Sequence, residues 1–273
     1  MKHALLAGFL AFAPLLAAAG PAWAAPVEGA ADMAAHRAAY RLTLDRARDN
    51  AGIQRAEGAM LFEVQDACEA WVTRQRFTLV VQDRDGNSIE TSSDYSTLES
   101  KDGRTLRFSL TQVTEGAVTQ RVSGEVTLTD TGGRVVFADP SPNEMSLPPG
   151  TLFPMIHTIR ALAAARGGQR MVVAPLLDGT TAEGPQDTTT IITGGWLAPA
   201  ANARFPVLAE LGSARMRIAF FEPSQQGGAS TPGYEVSLRY WANGIADELK
   251  MDFGEFVVDG QMLELAVAPT GGC

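Results

Sequence analysis

Thr105-Leu106-Arg107-Phe108-Ser109-Leu110-Thr111-Gln112-Val113 alternates polar with apolar side chains. Successive side chains of an extended chain point to opposite sides, so a period of two marks a β-strand with one wet face and one dry face. The pattern recurs on both sides of this run. Tyr40, Leu42 and Leu44 alternate with Arg41, Thr43 and Asp45, and Met60, Phe62 and Val64 continue in the same way. Residues 71–81 and 118–129 follow suit. Turn formers separate the runs: Asp49-Asn50-Ala51-Gly52, Asp83-Arg84-Asp85-Gly86-Asn87, Lys101-Asp102-Gly103 and Thr131-Gly132-Gly133. This spacing predicts a long antiparallel meander. To bury its dry face, the meander must curl into a barrel, a half-barrel or a sandwich.

The alternation breaks at Pro148-Pro149-Gly150-Thr151-Leu152-Phe153-Pro154. A helix over 155–165 is expected there, with Thr151 as N-cap, Pro154 in the first turn and Gly167-Gly168 as the stop. Ile156, Ile159, Leu162 and Ala163 fall near one face of it. Strands resume at 170–173 and 188–193, and the last three are read at 234–241, 245–253 and 255–267, with Asn243-Gly244 as a tight turn. Trp196 to Pro206 and Glu222 to Pro232 read as loops, the second with a mobile tip at Ser224 to Gly228. No linker divides the chain. The fold class is therefore mainly β: one many-stranded antiparallel sheet, curled, with one main helix near 151–166.

Residues 1–24 carry the three parts of an export signal: Lys2 in a basic start, an apolar run from Ala4 to Ala19, and the small-x-small site Ala22-Trp23-Ala24. Pro14 and Gly20 interrupt the apolar run, which falls short of the roughly 20 residues of a spanning helix. Cleavage after Ala24 is expected, followed by a flexible leader over 25–35 and a single domain over 36–273. The Arg- and Ala-rich composition suggests a GC-rich bacterium, hence the periplasm. An isolated cysteine pair in an oxidising compartment, Cys68 and Cys273, is read as a disulfide. Two unpaired thiols, with Cys273 on a frayed tail, are the alternative.

The formal net charge is −9, opposite in sign to that of a nucleic-acid binder. Of the three histidines, His36 and His157 follow the signal, and neither stands at metal-ligand spacing from another His or Cys. No nucleophile-elbow, phosphate-loop, zincin or dinucleotide-binding pattern occurs. Asp83 to Asn87 superficially resembles a calcium loop, but its glycine is fourth rather than sixth, so a hairpin turn fits better. Asp178-Gly179-Thr180 also suits a turn. His157 reads either as a general base or as a partly buried histidine bonded to a neighbouring strand. The second reading fits better, because the sequence offers no nucleophile or carboxylate as a partner. The dry face leaves two possibilities, a core filled by its own side chains or a cavity for an acyl chain or apolar peptide.

Several phrases together carry a family resemblance. They are Gly150-Thr151-Leu152-Phe153-Pro154-Met155-Ile156-His157-Thr158, Leu176-Leu177-Asp178-Gly179, Tyr234-Glu235-Val236-Ser237, Asn243-Gly244-Ile245 and Met251-Asp252-Phe253-Gly254-Glu255-Phe256, with one cysteine early and one at the extreme end. In their order and spacing, from about residue 33 to 273, the chain resembles the cell envelope integrity protein EipB family. The resemblance implies a periplasmic β-spiral, an open-barrel sheet with a helix near its mouth, closed by a bridge between Cys68 and Cys273. Carried over by position, Thr151, Phe153, Pro154, His157, Asp178, Gly179, Asn243 and Gly244 match motif residues and are candidate binding positions. Phe253 stands where the family pattern has Tyr, which puts one hydroxyl contact in doubt. The resemblance also implies a role in envelope integrity with a tetratricopeptide-repeat partner, and it brings no catalytic residues and no cofactor. The expected function is non-enzymatic, through binding of a protein partner or an apolar envelope component on the curved sheet. The alternatives are an envelope hydrolase using His157 and a lipid or lipoprotein carrier.

Overall fold

A computed structural model describes residues 25–199, 203–222 and 231–269. The signal over 1–24, the loop tip at Ser224 to Gly228 and Cys273 lie outside the described residues. The first half of the chain forms β1 (His36–Ala47), β2 (Ile53–Asp66), β3 (Ala70–Asp83) and β4 (Ser88–Ser100). It continues through β5 (Thr105–Thr114), β6 (Ala117–Thr129), β7 (Gly132–Asp139) and β8 (Asn143–Leu147). After the helix α1 (Pro154–Arg166) come β9 (Met171–Leu176), β10 (Gln186–Leu197) and β11 (Ser213–Phe221). β12 (Tyr234–Trp241), β13 (Ala246–Asp252) and β14 (Phe256–Val267) complete the chain.

Among the described residues these strands make one fourteen-stranded antiparallel sheet in the order β8-β7-β6-β5-β4-β3-β2-β1-β14-β13-β12-β11-β10-β9. Two meanders thus meet at a single long-range seam, where β1 pairs with β14, for example Tyr40 opposite Met262 and Leu42 opposite Gly260. The free edges, β8 and β9, are neighbours in sequence but do not pair, so the sheet curls without closing. α1 connects the two edges.

The alternation seen in the sequence has its expected consequence. On β5, Leu106, Phe108 and Leu110 are buried while Thr105, Arg107 and Ser109 are exposed. Two apolar cores result. One gathers Tyr40, Leu42, Trp71, Met216, Trp241 and Val258 around Ile156, Ile159 and Leu162 of α1. The other packs Phe153 and Leu177 against Leu106, Phe108, Val122 and Phe137. Each such large side chain contributes about 1.5–3 kcal/mol when fully buried.

Four strands, β4, β7, β8 and β11, lie where the sequence reading placed no strand, and β10 runs on to Leu197 into the expected loop. The helix begins at Pro154, with Phe153 at its N-cap. Thr151 does not cap it, because its hydroxyl donates to the Pro148 carbonyl at 2.8 Å in the preceding turn. Glu99 of β4 takes over that role, one oxygen accepting the N–H of Met155 and the other that of Ile156, each at 2.9 Å. Nor is α1 one-sided: His157, Thr158, Ala161, Ala164 and Ala165 are buried as well as Ile156, Ile159 and Leu162, whereas Ala163 is exposed. A helix enclosed by a curled sheet is covered on most sides, which removes the single-stripe pattern.

The leader is not loose as described. Val27 N–H donates to Lys101 O at 2.9 Å and Ala34 N–H to Asn243 O at 3.0 Å. Between them Ala30 and Met33 are buried in the core that holds α1.

Candidate functional site

The curled sheet lines a half-open cavity of about 950 Å³. Pro154, Met155, His157 and Thr158 at the start of α1 form its floor, and the cavity extends to the hairpin turns at the far strand ends, where Ala51, Asp83 and Glu255 border it. A second space of about 220 Å³ lies beside it, bordered by His36, Asn243 and Gly244. Phe62, Met155, Thr158, Tyr234 and Tyr240 line both.

The walls differ in chemistry. Along one side Phe220, Tyr234, Phe253 and Phe256 form a row, with successive ring centroids 5.6, 5.3 and 5.1 Å apart. Rings at this spacing pack favourably beyond their buried area. The Phe253 that replaces the family tyrosine is the third member of the row. The opposite side carries Thr91, Ser93, Tyr95 and Thr97, every second residue of β4, with Gln75 on β3 and Gln112 on β5.

The segment after β9 straps the open side of the sheet. Leu152 donates to Pro175 O at 2.8 Å and Leu177 to Leu152 O at 3.0 Å, which fixes the approach to α1 against the edge strand. Beyond it the Tyr95 hydroxyl donates to Asp178 O at 2.5 Å, and Gln120 Nε2 donates to Thr180 O at 2.9 Å. The Asp178 carboxylate accepts the Thr180 N–H and hydroxyl at 2.9 and 2.8 Å. Burial pushes its pKa up, and these hydrogen bonds oppose the shift. Gly179 presses on Phe108: a Cβ at this position would lie 2.2 Å from the ring, and its φ of +78° is one that side chains disfavour.

Among the described residues His157 has no acidic hydrogen-bond partner. Its Nε2 lies 2.9 Å from Thr190 Oγ1 on β10, as in the reading of a buried histidine bonded to a neighbouring strand. Burial, helped by the nearby Arg160 charge, lowers its pKa to about 4, so the ring is neutral at physiological pH. Asp83 is committed to its hairpin, accepting the N–H groups of Asp85 and Asn87 and the Asn87 side chain at 2.8–2.9 Å. Among the described residues no group of His, Cys, Asp and Glu is placed to hold a metal.

Of the positions singled out in the sequence, Pro154, His157 and Asp178 line the large cavity and Asn243 and Gly244 the small one. Thr151 shapes the turn before α1, Phe153 belongs to the second core and Gly179 seats the strap. Cys68 sits in the β2–β3 turn, apart from the cavity, and is not a free thiol. The sequence reading missed Glu99, Gln75, Tyr95, Gln112 and the aromatic row. Only the row had a usable signal, in the aromatic residues that flank the 222–232 loop and the 253–255 turn.

The chain is similar over nearly its whole length to a curated protein, the cell envelope integrity protein EipB of Brucella abortus: 29% identical over 275 residues, covering 99% of this chain and 97% of that protein. Its fold matches the crystal structure of a β-barrel-like protein of a domain of unknown function from Brucella abortus, with TM-score 0.77 and 28% identity, over 87% of this chain and 99% of the other. Residues 27–269 match the EipB-like family model, and the chain belongs to that family.

Proposed function

We propose that the protein is a non-enzymatic periplasmic factor of cell envelope integrity that holds an apolar envelope component inside its curled sheet. The observation that carries this reading is the cavity of about 950 Å³ with an aromatic wall, at the upper end of the roughly 300–1,000 Å³ typical of small-molecule sites. Family membership and similarity to the envelope integrity protein support the cellular role. His157 is bonded to Thr190, a fully buried hydroxyl that does not line the cavity, and no acid among its hydrogen-bond partners in the described residues orients it as a general base.

The test is native mass spectrometry and organic extraction of protein purified from the envelope, together with binding of the neutral fluorophore N-phenyl-1-naphthylamine. Bound amphiphile and fluorophore uptake are expected, and Val236→Trp, which fills the wall from β12, should abolish both without changing the circular dichroism spectrum. Protein that is empty and takes up no fluorophore would overturn the reading.

Two further parts belong to the same proposal. The mature chain starts at Ala25, which N-terminal sequencing of the exported protein checks. A tetratricopeptide-repeat partner docks on the outer face of β9 and β10, a reading supported by the exposed Met171, Val173 and Ile191. Crosslinking in the native envelope that recovers no repeat protein would remove that part.

A further inference from the structure

The two walls of the cavity specify more than an apolar occupant. Ser93 of β4 stands in register with Gln112 of β5, and Gln112 with Gln120 of β6, so one row of polar side chains crosses three strands. Gln120 is engaged by the strap. Ser93, Gln112 and the nearby Gln75 have no side-chain hydrogen bond within the described residues. A carboxamide offers two donors and an acceptor with two lone pairs, and covering it with hydrocarbon strands them all. A purely apolar ligand would therefore be penalised along this wall.

An anionic head group fares no better. Among the described residues no Lys or Arg lines either space. The charged side chains that do are Asp178 beside the polar wall and Asp83 and Glu255 at the hairpin end, all acidic. Arg84, in the same hairpin as Asp83, is turned away to the Asp49 carbonyl at 3.2 Å. His157 is bonded to Thr190. A buried carboxylate or phosphate needs a cation or several converging donors, and here it would meet like charge instead.

Resting on the reading of the cavity as an amphiphile site, we infer that it selects amphiphiles with an uncharged, hydroxyl- or amide-bearing head and discriminates against anionic ones. The head lies on Ser93, Gln75 and Gln112, and the chain lies along Phe220, Tyr234, Phe253 and Phe256.

The experiment is displacement of N-phenyl-1-naphthylamine from the full mature protein by three ligands of equal chain length: monopalmitoylglycerol, palmitate and palmitoyl-lysophosphatidylglycerol. Monopalmitoylglycerol is expected to displace the fluorophore at a concentration lower by about ten-fold or more than either anion, the scale of one lost head-group interaction. Gln112→Lys should erase most of the difference by strengthening palmitate about ten-fold, with an unchanged melting temperature as the control for folding. Palmitate or the lysophospholipid binding as well as the glyceride overturns the inference, as does fluorophore binding that none of the three displaces. A Gln112→Lys protein that folds but shows unaltered preference also overturns it. Failure of the fluorophore itself to bind overturns the underlying cavity reading instead.

Discussion

The Glu99 carboxylate, at the end of β4, accepts the backbone N–H of Ile156 in the first turn of α1 at 2.9 Å, while its other oxygen accepts that of Met155 at the same distance. The first N–H groups of a helix have no partner within the helix, so an acceptor placed there satisfies donors that would otherwise be stranded. Here the acid comes from a distant strand, is fully buried, and ties the polar wall of the cavity to its floor.

Glu99→Ala leaves two buried donors unpaired and opens a void. A loss of about 2–4 kcal/mol is expected, or roughly 4–16 °C in melting temperature for a domain of this size. Glu99→Gln keeps the volume but turns an amide donor toward one N–H, and should fall between wild type and Glu99→Ala. A melting temperature of Glu99→Ala within 2 °C of wild type would refute the capping role.

The same residue sets a pH dependence. Burial pushes the Glu99 pKa up to about 8, against hydrogen bonds from Met155 and Ile156 that pull it down. A group whose pKa is higher folded than unfolded contributes most below its ordinary value, and that contribution is lost as pH rises through the folded pKa. The margin of wild type over Glu99→Gln should therefore shrink between about pH 5 and pH 8. Paired thermal melts across that range check this. Asp178, shifted in the same direction, is common to both proteins and cancels.

His157 acts with the opposite sign. Its pKa is lowered to about 4 by burial first and Arg160 second, so the unfolded chain takes up a proton near the ordinary histidine value while the folded one does not. Its contribution is present above that value and is lost as pH falls toward 4. His157→Gln should reduce the acid sensitivity of the melting temperature between about pH 6.5 and 4. His36, also lowered by burial, is shared by both proteins. An unchanged acid slope would mean that the imidazole is protonated in the folded protein.

Most of the strands that were legible have one dry face. β5 and β6 alternate because Leu106, Phe108, Val122 and Val126 enter a core. β4 was missed because its inward residues, Thr91, Ser93, Tyr95 and Thr97, are as polar as its outward ones. The strand that alternation cannot see is thus the one that gives the cavity its polar wall. Glu99 was hidden for a related reason: its partners on α1 are over fifty residues away, and nothing local announces a cap supplied through tertiary contact. Asn243-Gly244 was correctly read as a turn, but its use as a seat for the leader depends on the seam between β1 and β14. β11 did alternate, with Met216 and Ile218 buried and Arg215 and Arg217 exposed, and was passed over among the Gly- and Pro-rich loops that flank it.

Gly179 and Gly254 separate close packing from backbone preference. Both have positive φ, +78° and +85°. A Cβ at Gly179 meets the Phe108 ring at 2.2 Å, while at Gly254 nothing lies within 4 Å. Gly254→Ala should cost about 1 kcal/mol, the conformational penalty alone. Gly179→Ala adds overpacking and should cost about 2–4 kcal/mol, while also lifting the strap from Tyr95. Chemical denaturation of both variants distinguishes the two effects. Equal losses would show that Phe108 yields freely.

The cysteines supply the last prediction. β2, which ends just before Cys68, and β14, which leads to Cys273, flank β1, and His36 faces Val64 on one side and Val267 on the other. Strand spacing puts β2 and β14 roughly 10 Å apart, within reach of the six residues that follow Val267, each spanning up to about 3.3 Å. A bridge there would not close the sheet, because the seam between β1 and β14 already joins these strands by hydrogen bonds. Its effect would fall on the unfolded chain, where closing a loop of about 200 residues removes entropy worth at most about 5 kcal/mol. Cys68→Ser and Cys273→Ser should each lower the melting temperature by a similar amount, with the double variant little worse than either. Refolded, reduced wild type should match the double variant. Additive losses, or a reduced protein as stable as the oxidised one, would show that the two sulfurs are not partners.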